Sequence, residues 1–259
     1  MPLVVEGLRA LRPDVVALQE VLQDEGLPNQ ARTIADALGY DMHFVSVDPA
    51  GATRRYGNAI LTPHPIQARG GCRLQPVADG RTVAHARIAI DGAAVDVFAT
   101  HLHHEQHGSA MRRQQAEGVL AAVDATRDPA LPVLLLGDFN ASVDDAGLSP
   151  LRTRFADAYG VRHGAGAGPP AHATLNPAYF AATARIDHVF VERGRFDVID
   201  AGIVFDTPAP DGTWASDHFG VFAALRVSAG DGDRRRTARA GNTSGDAATA
   251  CRRAGLPSL

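Results

Sequence analysis

Val133-Leu134-Leu135-Leu136-Gly137-Asp138-Phe139-Asn140 decides the reading of this chain. Four successive apolar residues suit a strand buried on both faces. Gly137 permits a sharp turn, and polar side chains follow at once. Asp138 and Asn140 are two apart, so in an extended chain they face one way while Phe139 anchors the other side. A carboxylate can orient a water or hold a hard cation, and an amide can donate to a phosphate oxygen. A plain Asx-turn is the bland use of the same residues.

The pattern recurs along the chain. The apolar run 15–18 ends in Gln19-Glu20, a carboxylate at a strand end. The run 95–99 ends in Thr100-His101-Leu102, with His103, His104 and His107 close behind. His101 reads as a site histidine and the other three as loop residues at its rim. A histidine-only zinc site competes, but no carboxylate or cysteine accompanies them at a recognised spacing. In Arg185-Ile186-Asp187-His188-Val189-Phe190-Val191, alternation puts Ile186, His188 and Phe190 on one face and Asp187, Val189 and Val191 on the other. A core-facing aspartate is costly unless paired. Ser216-Asp217-His218, at the mouth of the last strand, offers His218 as that partner, held in one tautomer by Asp187.

The remaining elements follow from periodicity. Helices are expected over 2–11, 31–38 and 109–123. Strands are expected over 15–18, 42–47, 57–62, 83–90, 94–100, 133–136, 186–192, 198–205 and 219–227. Asp91-Gly92 marks a hairpin turn. The Gly/Ala/Pro-rich stretch between Tyr159 and Ala173 reads as a loop. Alternating strands and helices, with strands in excess, give an α/β or α+β class with two sheets.

Composition narrows the function. Of 259 residues, 45% are apolar and 21% charged, which is ordinary for a globular chain. No run of about 18 apolar residues exists, so no integral membrane span is expected. Two cysteines, Cys72 and Cys251, exclude a disulfide scaffold and a cysteine-rich zinc module. All 25 basic residues are Arg, so lysine-dependent mechanisms are excluded. Residues 228–259 hold six Arg and three Asp, net +3, and read as a disordered basic tail. Residues 1–227 then carry 19 Arg against 26 acids, net −7, and form one domain without the positive field of a duplex-binding surface.

The ordered set Asp14-Val-Val-Ala-Leu-Gln-Glu20, Thr100-His101-Leu102, Gly137-Asp138-Phe139-Asn140, Arg185-Ile186-Asp187-His188 and Ser216-Asp217-His218 resembles the endonuclease/exonuclease/phosphatase superfamily, the DNase I-like fold. Tyr56-Gly57-Asn58-Ala59-Ile60-Leu61 and Arg112-Arg113-Gln114-Gln115-Ala116 are similar to its intermediate blocks. The resemblance implies a four-layer sandwich: two mixed sheets face to face, with helices outside. It implies a Mg²⁺-dependent (or Mn²⁺-dependent) attack of water on a phosphate mono- or diester. Glu20 would hold the cation, with Asp217 supporting metal or water. Asp138 would activate the water and Asn140 bind a phosphate oxygen. His101 would be an acid near the leaving group or a phosphate ligand. His218, oriented by Asp187, would contact the phosphoryl group. Asn58, Arg113 and Arg185 are the expected substrate contacts. Nucleic acid, phospholipid head groups and soluble esters all stand as substrates, and the chain is expected to be a monomer. The competing class is a non-catalytic phosphate-ligand-binding protein that keeps the fold.

One departure stands out. In this family a first strand precedes the helix over residues 3–11 and contributes an Asn near the metal; here Met1 lies almost at the helix start. The expectation is a domain lacking that strand, through a start called too late or a real fragment. As written the chain reads as cytoplasmic, and as secreted if a leader lies upstream.

Overall fold

The strand of the quoted segment, β7 (Val133–Asp138), lies inside a six-stranded sheet. Its companions are β4 (Ile66–Arg73), β5 (Thr82–Ile90), β6 (Ala93–His101), β8 (Phe155–Asp157) and β9 (Asp187–Glu192), in the order β4-β5-β6-β7-β9-β8. Only β6 and β7 run parallel, joined by the crossover helix α3 (Ser109–Thr126). The fold is a computed structural model that describes residues 1–164, 172–228, 247–257 and 259.

The second sheet layer is in two pieces. β1 (Val16–Gln23), β2 (Asp41–Ser46) and β3 (Arg55–Thr62) pair in the order β1-β3-β2. β10 (Phe196–Val204) and β11 (Gly220–Val227) form a separate antiparallel pair. Among the described residues, neither β1 nor β11 has a second strand partner.

Three apolar clusters define the layers. Val45, Ile60, Val97 and Leu136, with Phe196 and Leu225, fill the space between the sheets. Phe98, Leu135, Phe139 and Phe190 pack the outer face of the large sheet against Val119 and Val123 of α3. Leu8 of α1 (Pro2–Leu11) and Ile34 of α2 (Gln30–Leu38) cover Val16 and Leu61 on the far side. Each fully buried Leu or Phe contributes about 1.5–3 kcal/mol. The order is therefore helix, sheet, sheet, helix, as the resemblance implies.

Local signals act as their chemistry requires. Asp91 (φ 48°) and Gly92 (φ 83°) build the β5–β6 hairpin turn in the left-handed region. Gly137 pairs with Thr100, and a Cβ there would lie 2.0 Å from the Thr100 carbonyl oxygen, so no other residue fits. Gly39 (φ 71°) closes α2.

Two expectations are corrected. Part of the presumed loop after Tyr159 is helix α5 (Ala158–His163), capped by the Asp157 carboxylate on the Gly160 N–H; residues 165–171 lie outside the described residues. The presumed tail is not wholly disordered: α6 (Ala247–Arg253) docks on the large sheet, burying Cys251 and Leu256. Residues 229–246 lie outside the described residues. The two cysteines also pair, Cys72 with Cys251, tying α6 to β4 across 179 positions. An average over 32 mostly polar positions hid this docking, because one covalent bond and a few apolar side chains suffice for it.

Candidate active site

The polar strand ends converge on one cleft of about 1680 Å³. It opens where the two pieces of the inner sheet layer meet the large sheet. Glu20, His101, Asp138, Asn140, Asp187, Asp217 and His218 all line it.

Asp138 and Asp187 face each other directly across the β7–β9 ladder. The ligand atoms of Asp138, Asp187 and His218 all lie within 4.8 Å of one another. Nδ1 of His218 sits 2.9 Å from Oδ2 of Asp187 and 4.0 Å from Oδ2 of Asp138. Burial, followed by the Asp187 charge, pushes the Asp138 carboxyl up to about 7. For His218 burial acts downward, but the hydrogen bond and charge of Asp187 prevail and push it up to about 9.

Asp138 divides its oxygens. Oδ1 accepts the Asn140 N–H at 2.8 Å, an Asx-turn that puts Asn140 at φ 50°. Oδ2 is left toward His101 Nε2, 3.5 Å away, and His218. The bland and the functional uses of this segment therefore coexist. Asn140 Nδ2 donates to the Leu102 carbonyl at 3.0 Å, which fixes the amide at the cleft. Phe139 points away and packs edge-on against Phe190, its ring 4.9 Å away.

Glu20 sits in a bulge of β1 between Leu18 and Val21, with φ 55°. The bulge re-aims its carboxylate out of the strand's alternation. Burial, then a hydrogen bond to Glu20, raises the Tyr56 hydroxyl far above its ordinary value. The loop carrying Asp217 and His218 is tied by fully buried Asn176: its N–H donates to the Asp217 carbonyl at 3.0 Å and its Nδ2 to the Ser216 carbonyl at 3.2 Å.

His101 is 4% exposed at the end of β6. Burial, then the Arg81 guanidinium, pushes it down to about 3. A neutral imidazole suits the phosphate-ligand role expected of it better than the acid role.

Three expected substrate contacts lie elsewhere. Asn58 is buried and donates to Thr82 Oγ1 at 2.9 Å. Arg113 pairs with Glu117 on exposed α3. Arg185 holds Asp157 at 2.7 Å and lies over the Tyr159 ring. None of the three lines the cleft. Single arginines and amides carry no periodic signal that separates a ligand contact from a structural pair. Sequence reasoning also passed over Arg81, Tyr56 and Asn176. Arg81 directly precedes an apolar strand, the same signature that marked the other site residues.

The sequence pattern of the Endonuclease/Exonuclease/phosphatase family matches residues 3–218. The chain belongs to this family. Solved structures agree on the endonuclease/exonuclease/phosphatase fold. A member from Beutenbergia cavernae superposes with a TM-score of 0.68 at 24% identity, over 87% of this chain and 66% of that one. The human Nocturnin catalytic domain, with a bound sulfate anion, gives 0.69 at 18% identity over 88% and 85%. A mannosyl-6-phosphatase from Bacteroides thetaiotaomicron gives 0.68 at 22% identity over 87% and 90%. This chain thus spans just under two thirds of the Beutenbergia protein. No curated protein sequence matches it. No described helix of this family member is long and apolar enough to cross a membrane.

The donor set suits a hard divalent cation. Asp138 and Asp187 offer carboxylate oxygens and His218 a ring nitrogen within 4.8 Å of one another, and the Glu20 and Asp217 carboxylates line the same cleft.

Proposed function

We propose that the chain is a phosphoesterase that uses Mg²⁺ or Mn²⁺ to hydrolyse a phosphate mono- or diester. The observation that carries this reading is the Asp138–Asp187–His218 cluster at the wall of the cleft. In it, Asp138 accepts the proton of the attacking water. Its carboxyl, pushed up to about 7, lies near the operating pH of a general base. His218, held by Asp187, donates to the phosphoryl oxygens. Asn140 and neutral His101 hold the remaining oxygens. Glu20 and Asp217 would hold the cation, which would neutralise charge that develops on the phosphate.

The acidic domain supports a small or single-stranded ester over duplex DNA. The Cys72–Cys251 disulfide supports secretion over a cytoplasmic location, because such bridges persist in oxidising compartments.

The test of the function is hydrolysis of bis-p-nitrophenyl phosphate. Mg²⁺-dependent turnover that His218→Ala abolishes supports the enzyme. Absence of turnover, with phosphate still bound, would leave the binding-protein class.

A further inference from the structure

We infer that Arg81 is a positioning residue that fixes the tautomer of His101, so that its Nε2–H faces the cleft. A guanidinium carries five N–H donors and no acceptor. Nη1 of Arg81 lies 2.9 Å from Nδ1 of His101. Nδ1 must therefore offer its lone pair, and the single proton of the neutral ring belongs to Nε2. Nε2 is the nitrogen that lies 3.5 Å from Oδ2 of Asp138.

The guanidinium is buried among three neighbours, His101, His104 and Asp79. Arg81 is 8% exposed, and Nη2 makes the same kind of contact with Nδ1 of His104 at 3.1 Å. Its Nε stands 3.6 Å from Oδ2 of Asp79. Asp79 in turn takes hydrogen bonds from His103 Nδ1 at 2.8 Å and Gln115 Nε2 at 2.6 Å. Gln115 is fully buried in α3, so the chain of contacts runs from a core helix to the cleft. The His101 ring cannot flip without breaking the Arg81 contact. Its Nε2–H is thereby preset as a donor for a phosphate oxygen.

The direct test is ¹⁵N NMR of histidine-labelled, metal-free protein at neutral pH, which distinguishes protonated from bare ring nitrogens. The expected result is His101 with Nε2 protonated and Nδ1 bare. In Arg81→Met a protonated Nδ1 population appears. In Arg81→Lys, which still only donates, the original tautomer persists. In His104→Ala, which removes only the second contact, it also persists. Protonated Nδ1 in the unaltered protein overturns the proposal, even if Arg81→Met fails to fold. An unchanged tautomer in folded Arg81→Met overturns it as well. A kinetic arm rests on the phosphoesterase reading: Arg81→Met should lower kcat roughly 10- to 100-fold with little change in KM, and Arg81→Lys should restore part of it. A kinetic arm that fails while the NMR arm holds indicts the function and leaves the tautomer assignment standing.

Discussion

Asp138 and Asp187 stand opposite each other on neighbouring strands, and burial adds to their repulsion. Asp138 moves from 3.8 up to about 7 and His218 from 6.5 up to about 9. A group raised on folding stabilises fully below its unfolded value and loses that contribution as pH rises through the folded one. Asp138→Asn removes the first of these losses. In metal-free protein, the melting temperature of Asp138→Asn relative to the parent should therefore climb as pH goes from about 4 to 8. Activity should meanwhile fall by about 10²-fold or more. A difference that stays flat with pH, followed by calorimetry, contradicts the buried-repulsion account. Which residues would line the cleft was legible here because each lies at one end of an apolar run. What Asn58 and Arg185 do was not, because a buried amide or guanidinium pairs with whatever the fold brings near.

The strands repay two further experiments. Leu135 is fully buried at the centre of β7, so Leu135→Ala should cost about 2–5 kcal/mol in denaturant unfolding. Val161→Ala, at an exposed position of α5, should stay within about 0.5 kcal/mol. Asp96 of β6 is fully buried; burial acts upward on it, but the His85 and Arg87 hydrogen bonds prevail and hold it below 3.8. Its contribution is present above 3.8 and lost as pH falls through the lower folded value. Asp96→Asn should be less stable than the parent at pH 6, and this deficit should shrink in strong acid. Strands with continuous apolar runs were legible in advance. β4, reading Ile66-Gln67-Ala68-Arg69-Gly70-Gly71-Cys72-Arg73, was not. Its residues are small because the layers touch there: a Cβ on Gly71 would meet Val45 Cγ2 at 2.7 Å. β8 has three residues, too few to show a period.

At the scale of the molecule, one feature joins distant segments. The Cys72–Cys251 bond closes most of the chain, and replacing both cysteines with serine should cost about 2–4 kcal/mol. Thermal melts with and without reductant check this, and equal melting temperatures would contradict it.

By itself the sequence determined the layered α/β class, the family, and which polar strand ends gather at the cleft. Periodicity and the order of short motifs are local properties, written along the chain. Only the tertiary structure decided the rest. It set Arg81 behind His101, docked the last helix through a disulfide, and split the inner sheet layer. Each of these joins residues far apart in sequence. Such contacts leave no period to read, because distance through space is fixed by the packing of whole layers.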